Sequence, residues 1–355
     1  MNTASNQEVA IVVVTYKRQD LLRELLDSIC ALNVRPNSVI VVDNESSSQT
    51  EEIVRGFKAN VNERASAHEP AENETRVIYA PQVTNTGGSG GFSTGVEIAY
   101  KSGVDWIWTM DDDVAVTPDA LDVMQLRLRS ALENDHCVLQ PSRQNFDGTP
   151  FYWQYNFLTK LGIPNPIAPS SFVEGETYKQ MNTACFEGSF FHRSVVQEIG
   201  YPDPRFFIYW DDTVYGYLAS KITDPILINN IIMRRTRKIS NIKIGTTRKL
   251  NSTSDMVRFY IMRNRGHMAN YFKLRDDYHP IFFTLGTVLT LLKELIRLKL
   301  SNNFKSGLRA LLSGMKEARR IRRNRTWKPM PPVLEQIMQV PSCTCRADQF
   351  QQFSR

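Results

Sequence analysis

Two short acidic runs carry most of the chemistry this sequence offers. Asp111-Asp112-Asp113 ends the apolar stretch Val104–Met110, and Asp211-Asp212 follows the aromatic stretch Phe206–Trp210. Adjacent carboxylates repel one another and resist desolvation, so such a triplet calls for a cation or a basic partner; otherwise it is a solvated turn. Hard divalent ions such as Mg²⁺ and Mn²⁺ take one or two carboxylates and add substrate phosphates. On a strand tail alternate residues share a side, which directs Asp111 and Asp113 to one site and Asp112 away from it. The second run offers a general base for an acceptor hydroxyl, or a helix N-cap.

These groups need a scaffold, and the first third of the chain describes one. Val9–Thr15 is a continuous β-branched run, the mark of a strand buried on both faces. Asp20–Leu32 has helical spacing with Asp20 as N-cap. Ser38–Val42 is a second strand, ending at Asp43-Asn44. Ser46–Phe57 is helical, 58–75 reads as a polar surface excursion, and Val77–Ala80 is a third strand. Gly87–Gly95 reads as a glycine-rich loop feeding a helix over Phe92–Ser102, before the strand Val104–Met110. This alternation predicts parallel strands with helical crossovers, whose ligands bind at the carboxyl ends of the strands. Thr15-Tyr16, Asp43-Asn44, the glycines and the acidic triplet all fall there. Asp43 can accept the imide N–H of a uracil ring or cap the following helix. The glycines admit a phosphate or sugar close to the backbone, ahead of a helix dipole. They form neither a P-loop, which needs Gly-Lys-Ser/Thr, nor a dinucleotide loop after the first strand.

Further along, a helix is expected over Pro118–Asn134 and strands over Val138–Pro141, Ala184–His192, Phe206–Trp210 and Ile226–Met233. Helices are expected over Asp212–Ser220 and Ser254–Arg275, with irregular chain over 144–180. Ile281–Leu300 is apolar, but charge begins at Lys293, so it suits a membrane surface rather than a span of about 20 apolar residues.

With 355 residues, 42% hydrophobic and 23% charged, the chain is globular rather than disordered. Lys plus Arg number 43 against 37 Asp plus Glu, and the basic residues concentrate over 234–249 and 293–328. That concentration suggests an anionic partner. Arg234-Arg235 and Arg237-Lys238 would neutralise a diphosphate or form a solvated basic face. Cys30, Cys137, Cys185, Cys343 and Cys345 are odd in number and scattered, which fits a reducing compartment. The five histidines have no zinc spacing. Residues 1–8 are polar and Val9–Val14 is too short for a leader core, so a cytoplasmic location is expected.

Taken jointly, VVVTYKR (Val12–Arg18), VVDN (Val41–Asn44), NTGGSGGF (Asn85–Phe92), TMDDD (Thr109–Asp113) and FFIYWDD (Phe206–Asp212) resemble the family 2 inverting glycosyltransferases of the GT-A fold. They look most like bacterial galactofuranosyltransferases, as does FYIMRN (Phe259–Asn264). The resemblance implies an α/β nucleotide-sugar domain, a Rossmann-like mixed sheet flanked by helices, over 1–250. A helical, basic, membrane-associating region follows over 251–355. It implies a UDP-sugar donor held by Thr15, Arg18, Asp43, Gly87, Gly88, Gly90, Gly91, Asp112 and Trp210. Asp111 and Asp113 would bind Mn²⁺ or Mg²⁺, Asp212 would be the general base, and Asp211 would hold the acceptor hydroxyl. The acceptor would be a growing surface polysaccharide or lipid-linked glycan at the inner, anionic face of the cell membrane. No nucleic-acid partner is implied, and a homo-oligomer is left open.

The sequence departs from that pattern twice. Val214 replaces an acidic residue, and no histidine occurs from 193 to 266, where a metal ligand belongs. Metal dependence is therefore open. A rhamnosyl- or hexosyltransferase, or a catalytically impaired nucleotide-sugar-binding subunit, remain alternatives.

Overall fold

The computed structural model describes residues 6–66, 74–151, 155–168, 171–238, 241–244, 248–251, 253–300 and 303–333. His68, Cys343 and Cys345 lie outside them. In chain order the first elements are β1 (Val9–Thr15), α1 (Gln19–Cys30), β2 (Ser38–Asp43), α2 (Ser48–Ser66), β3 (Arg76–Pro81), α3 (Gly87–Lys101) and β4 (Trp106–Asp111). β5 (Val114–Val116), α4 (Ala120–Glu133), β6 (Val138–Gln144), β7 (Pro150–Phe151), β8 (Phe157–Leu158), β9 (Ile163–Pro164), β10 (Tyr178–Gln180) and β11 (Phe190–His192) follow. The chain continues through α5 (Arg193–Ile199), α6 (Asp211–Ala219), β12 (Ile226–Arg235), β13 (Asn241–Ile244) and β14 (Arg248–Asn251). Among the described residues four helices follow, α7 (Asp255–Arg263), α8 (Arg265–Leu274), α9 (Pro280–Leu300) and α10 (Phe304–Arg323).

The main sheet runs β10-β12-β6-β11-β4-β1-β2-β3, with β5 on β12 and β7 on β6. β4, β1, β2 and β3 are parallel, as the strand–helix alternation predicts. β11 runs antiparallel between β4 and β6, which makes the whole a mixed α/β sheet flanked by helices. β1 is buried throughout and feeds both faces. Val9, Ile11 and Val13 pack with α1 and α2, whereas Ala10, Val12 and Val14 pack with α3 and the C-terminal helices.

Several local expectations are corrected. α1 has Arg18, not Asp20, at its N-cap position, and Asp20 sits in the first turn, where it complements the dipole. α2 continues to Ser66, because Val61 extends the stripe of Val54 and Phe57 by one more turn. The glycine run is the opening of α3 rather than a loop. Its residues are small because the helix lies against β1: a Cβ on Gly91 would meet Val14 Cγ1 at 2.5 Å, and one on Gly95 would meet Val12 Cγ1 at 2.3 Å. β11 covers only Phe190–His192 of the expected Ala184–His192 strand, with Gly188 and Ser189 adding backbone bonds to Thr109, and the close approach at Gly188 is real, against Met233 Sδ. The Phe206–Trp210 run is not a strand: a 3-10 turn over Pro204–Phe206 leads into left-handed Phe207, Tyr209 and Trp210. The helix expected over Ser254–Arg275 divides at Asn264. β14 spans the 250/251 boundary, and Met268, Ala269, Tyr271 and Phe272 of α8 join the same core as Val12 and Phe92.

The glycine packing gives a paired test by urea denaturation. Gly95→Ala overpacks the α3–β1 contact and costs about 1–3 kcal/mol. Gly56→Ala in α2, with nothing within 4 Å of the added carbon, is neutral or stabilises by up to about 1 kcal/mol.

Candidate active site

The carboxyl ends of β1, β2 and β4 lie side by side, with Thr15 opposite Asp43 and Val14 opposite Asp111. β4 stops at Asp111, and Asp112-Asp113 turn back toward the loop after β1. The Thr15 hydroxyl donates to Asp112 Oδ2 at 2.7 Å. Arg18 Nη1 lies 3.1 Å from Asp112 Oδ1 and donates to Asp113 Oδ2 at 3.1 Å. Arg237 reaches Asp113 Oδ2 at 3.1 Å from beyond β12. The triplet is therefore met by basic partners at Asp112 and Asp113. Because the strand has already ended, Asp112 and Asp113 share one arginine rather than facing opposite sides.

Among the described residues no cation lies within ion-pair distance of half-buried Asp111. Burial first, then the charge of Asp113, raises its pKa. Asp112 is fully buried, which pushes its carboxyl up to about 6 against the opposing pull of Arg18 and Thr15. No set of three or more His, Cys, Asp or Glu among the described residues is arranged around an ion. Asp111 and Asp113 repel one another, and they are the two carboxylates that could contribute to a divalent-cation site, the rest of whose shell would have to come from phosphates and water.

Other residues expected at the donor do structural work. Asp43 is buried, and its carboxylate accepts from Glu45 N at 2.8 Å, Ser47 N at 2.9 Å and the Tyr79 hydroxyl at 2.9 Å. It orders the turn into α2, the capping alternative. A Cβ on Gly87 would strike the Phe207 carbonyl, one on Gly90 the Thr86 side chain and one on Gly91 Val14. Only Gly88 of these four faces open space. Trp210 is buried, and its Nε1–H donates to the Ile261 carbonyl at 3.1 Å.

Asp211 and Asp212 stand half-buried at the start of α6, not on a strand end. Burial first, then Asp212, raises Asp211. Burial raises Asp212 as well, opposed by hydrogen bonds from the Cys185 thiol and Thr213 and by the Arg143 charge. Cys185 links the two acidic tips: its thiol is pushed up by burial and feels Asp212, Arg143 and Asp111 together. The loop before Asp211 lies against the start of α3, with Ser89 N donating to the Phe207 carbonyl at 3.1 Å, so both tips border the cleft at the strand ends.

Behind that cleft lies a cluster that periodicity does not reveal. Glu187 pairs with buried Arg143 and takes Arg235 bidentately at 2.9 Å. Both guanidiniums stack on Phe151, at 4.0 and 4.4 Å from the ring centre. Alternation along the end of β12 divides the basic cluster: Arg235 and Arg237 face the acidic triplet, whereas Arg234 pairs with Glu24 outside. Asn44, expected only as part of the strand end, accepts from Thr86 N and Oγ1 and donates to the Gly87 carbonyl. Asn264 holds the loop before Asp211, donating to the carbonyls of Phe206, Ile208 and Tyr209 at 2.8, 2.9 and 2.8 Å. At the two departures, Val214 is buried in the core and the stretch without histidine carries these arginines.

A parallel-stranded α/β sheet with an acidic tip after its fourth strand and a second one across the cleft has clear relatives. The pattern of glycosyl transferase family 2 matches residues 10–200, and the chain belongs to that family. Galactofuranosyltransferase GlfT1 of Mycolicibacterium smegmatis is 26% identical over 274 residues, covering 75% of this chain and 84% of the relative. GlfT1 of Mycobacterium tuberculosis is 29% identical over 208 residues, 58% of this chain and 62% of its own length. Among solved structures, S. aureus TarS 1-349 in complex with UDP-GlcNAc aligns with a TM-score of 0.47 at 12% identity, over 88% of this chain and 92% of that one.

The raised carboxyls set a pH dependence. Their folded pKa lies above the unfolded value near 4, so between about pH 4 and 7 the folded state holds more protons. Stability is then greatest below that window and falls as pH rises through it. In metal-free buffer the melting temperature is higher at pH 5.5 than at pH 8, and Asp112→Asn, neutral at both, narrows the difference. Asp112 alone accounts for about 1 kcal/mol of it, since only the upper part of its titration falls between those two pH values.

Proposed function

We propose that this protein is an inverting galactofuranosyltransferase. It moves galactofuranose from its UDP donor to a hydroxyl of a growing bacterial surface polysaccharide or lipid-linked glycan. The observation that carries the reading is that the loop presenting Asp211 and Asp212 packs on the glycine start of α3, beside the strand ends that hold Asp43 and Asp111. The names of the relatives, both galactofuranosyltransferases, supply the sugar.

In this reading Thr15, Arg18 and Asp112 bind the nucleoside side of the donor, and Gly88 admits the diphosphate beside the start of α3. Asp111 and Asp113 would hold Mn²⁺ or Mg²⁺, which when bound would supply charge stabilisation to the departing UDP. Arg235 and Arg237 add fixed positive charge next to those carboxylates, where the histidine is missing. Asp211 accepts a hydrogen bond from the acceptor and orients it. Asp212 takes the proton from the attacking hydroxyl, whose oxygen displaces UDP from the anomeric carbon with inversion. The raised pKa values suit such a base, since a carboxylate that binds protons more tightly removes them more effectively.

The membrane surface enters through α9. No helix among the described residues is long and apolar enough to cross a membrane. α9 instead exposes Ile281, Leu285, Val288, Leu292, Ile296 and Leu300 along one face, with Lys293 and Lys299 as its exposed charges. An apolar ridge edged by cations suits the interface of an anionic bilayer.

Two measurements follow. With UDP-galactofuranose and a glycan acceptor, Asp212→Asn lowers kcat by about 10²–10⁴-fold while UDP still binds. Equal turnover in the variant, or UDP binding without turnover by the wild type, rejects the reading. In flotation, the protein binds vesicles containing phosphatidylglycerol more tightly than pure phosphatidylcholine. Leu285→Glu with Leu292→Glu cuts that binding at least about tenfold.

A further inference from the structure

Away from the cleft, a cavity of about 380 Å³ opens between α8, α10 and the segment after α10. That volume falls in the range of small-molecule sites. Its wall includes Arg205, Arg263, His267, Arg320, Trp327 and Lys328. The cations are not all neutralised. Asp203 takes Arg205 bidentately at 2.8 and 2.6 Å, and Glu317 takes Arg320 at 2.9 and 2.6 Å. Arg263 donates only to neutral oxygens, the Arg205 carbonyl at 2.6 Å and Asn264 Oδ1 at 2.8 Å. Among the described residues neither Arg263 nor Lys328 pairs with a carboxylate.

His267 adds a directed donor. It is 3% exposed, and its Nδ1 receives the Trp327 Nε1–H at 3.0 Å. An indole nitrogen can only donate, so Nδ1 is the accepting nitrogen and the ring proton sits on Nε2. Burial keeps the ring neutral by lowering its pKa to about 4. The His267 ring lines the cavity, and its Nε2 is buried without a hydrogen-bond partner. A buried N–H left unpaired is costly, and its position beside unpaired cations selects an anionic acceptor to satisfy it.

We propose that this cavity binds a phosphate-bearing anion, held by Arg263, Lys328 and the His267 Nε2–H. Such a phosphate comes from a lipid headgroup or from a soluble phosphate ester. The site is distinct from the donor cleft but adjoins the loop that leads to it: Arg205 begins that loop, and the carbonyl of Asp203 accepts from Ser89 Oγ of α3 at 2.5 Å.

The test follows the His267 side-chain nitrogens by NMR in histidine-labelled full-length protein, with the resonance assigned by its loss in His267→Gln. Inorganic pyrophosphate and soluble short-chain phosphatidic acid are titrated separately. The expected result is a saturable shift at Nε2 whose midpoint rises about tenfold or more in Lys328→Glu and stays within about twofold in Lys305→Glu, an equal charge change on an exposed part of α10. A shift with pyrophosphate assigns a soluble ester, and a shift with phosphatidic acid alone assigns a headgroup. No shift with either probe overturns the proposal, as does a midpoint that Lys328→Glu leaves unchanged or that both charge reversals raise equally. Arg18→Ala, in the donor cleft, leaves the midpoint in place, so failure of the transferase reading and failure of this one are separable.

Discussion

One carboxamide fixes the geometry on which the catalytic reading depends. Asn264 Nδ2 has two protons and spreads them over three carbonyls of the Phe206–Tyr209 loop. That loop places Phe207, Tyr209 and Trp210 in the left-handed region, at φ 64, 75 and 71°. Such conformations cost on the order of 1–3 kcal/mol each for residues with a Cβ and persist only where the surroundings enforce them. Asn264, the Trp210 bond to Ile261 and the stacking of Phe207 on Tyr260 supply that enforcement, all from α7 and its junction with α8. The product of the strain is the position of Asp211 and Asp212. The C-terminal helices are therefore a structural part of the site and not an appendage.

The cleft distributes its charges unevenly. Asp112 and Asp113 have arginine partners, Glu187 holds two more guanidiniums behind them, and Asp111, Asp211 and Asp212 keep no protein cation within ion-pair distance among the described residues. The carboxyls left without a cation are raised by burial. Such groups either bind a proton or await a ligand that brings positive charge or a donating hydroxyl, which is what a transferase cleft needs before its substrates arrive.

How much of this was legible in the sequence depends on the range of the interaction. The parallel half of the sheet and the convergence of its strand ends follow from apolar runs such as Val9–Thr15, whose physics is local. Both acidic tips were legible because carboxylates next to apolar runs are conspicuous. The glycine helix was misread because its glycines answer to Val12 and Val14, a tertiary contact. The Phe206–Trp210 run was misread because its aromatic rings bury themselves from an irregular loop, and only Asn264, far along the chain, keeps that loop from extending. Arg143, Glu187 and Cys185 carried no periodic signal, since their meeting is a property of β6, β11 and β12 lying close in the sheet.

The central claim is that Asn264 acts through Asp212, by holding the loop that presents it. The most direct measurement is a double-mutant cycle on kcat, with Asn264→Ala, Asp212→Asn and the pair assayed below their melting transitions. The account predicts strong non-additivity, with Asn264→Ala costly in the wild-type background and nearly silent once Asp212 is Asn. Effects that simply add in free energy would show that Asn264 and Asp212 act independently, and would contradict it.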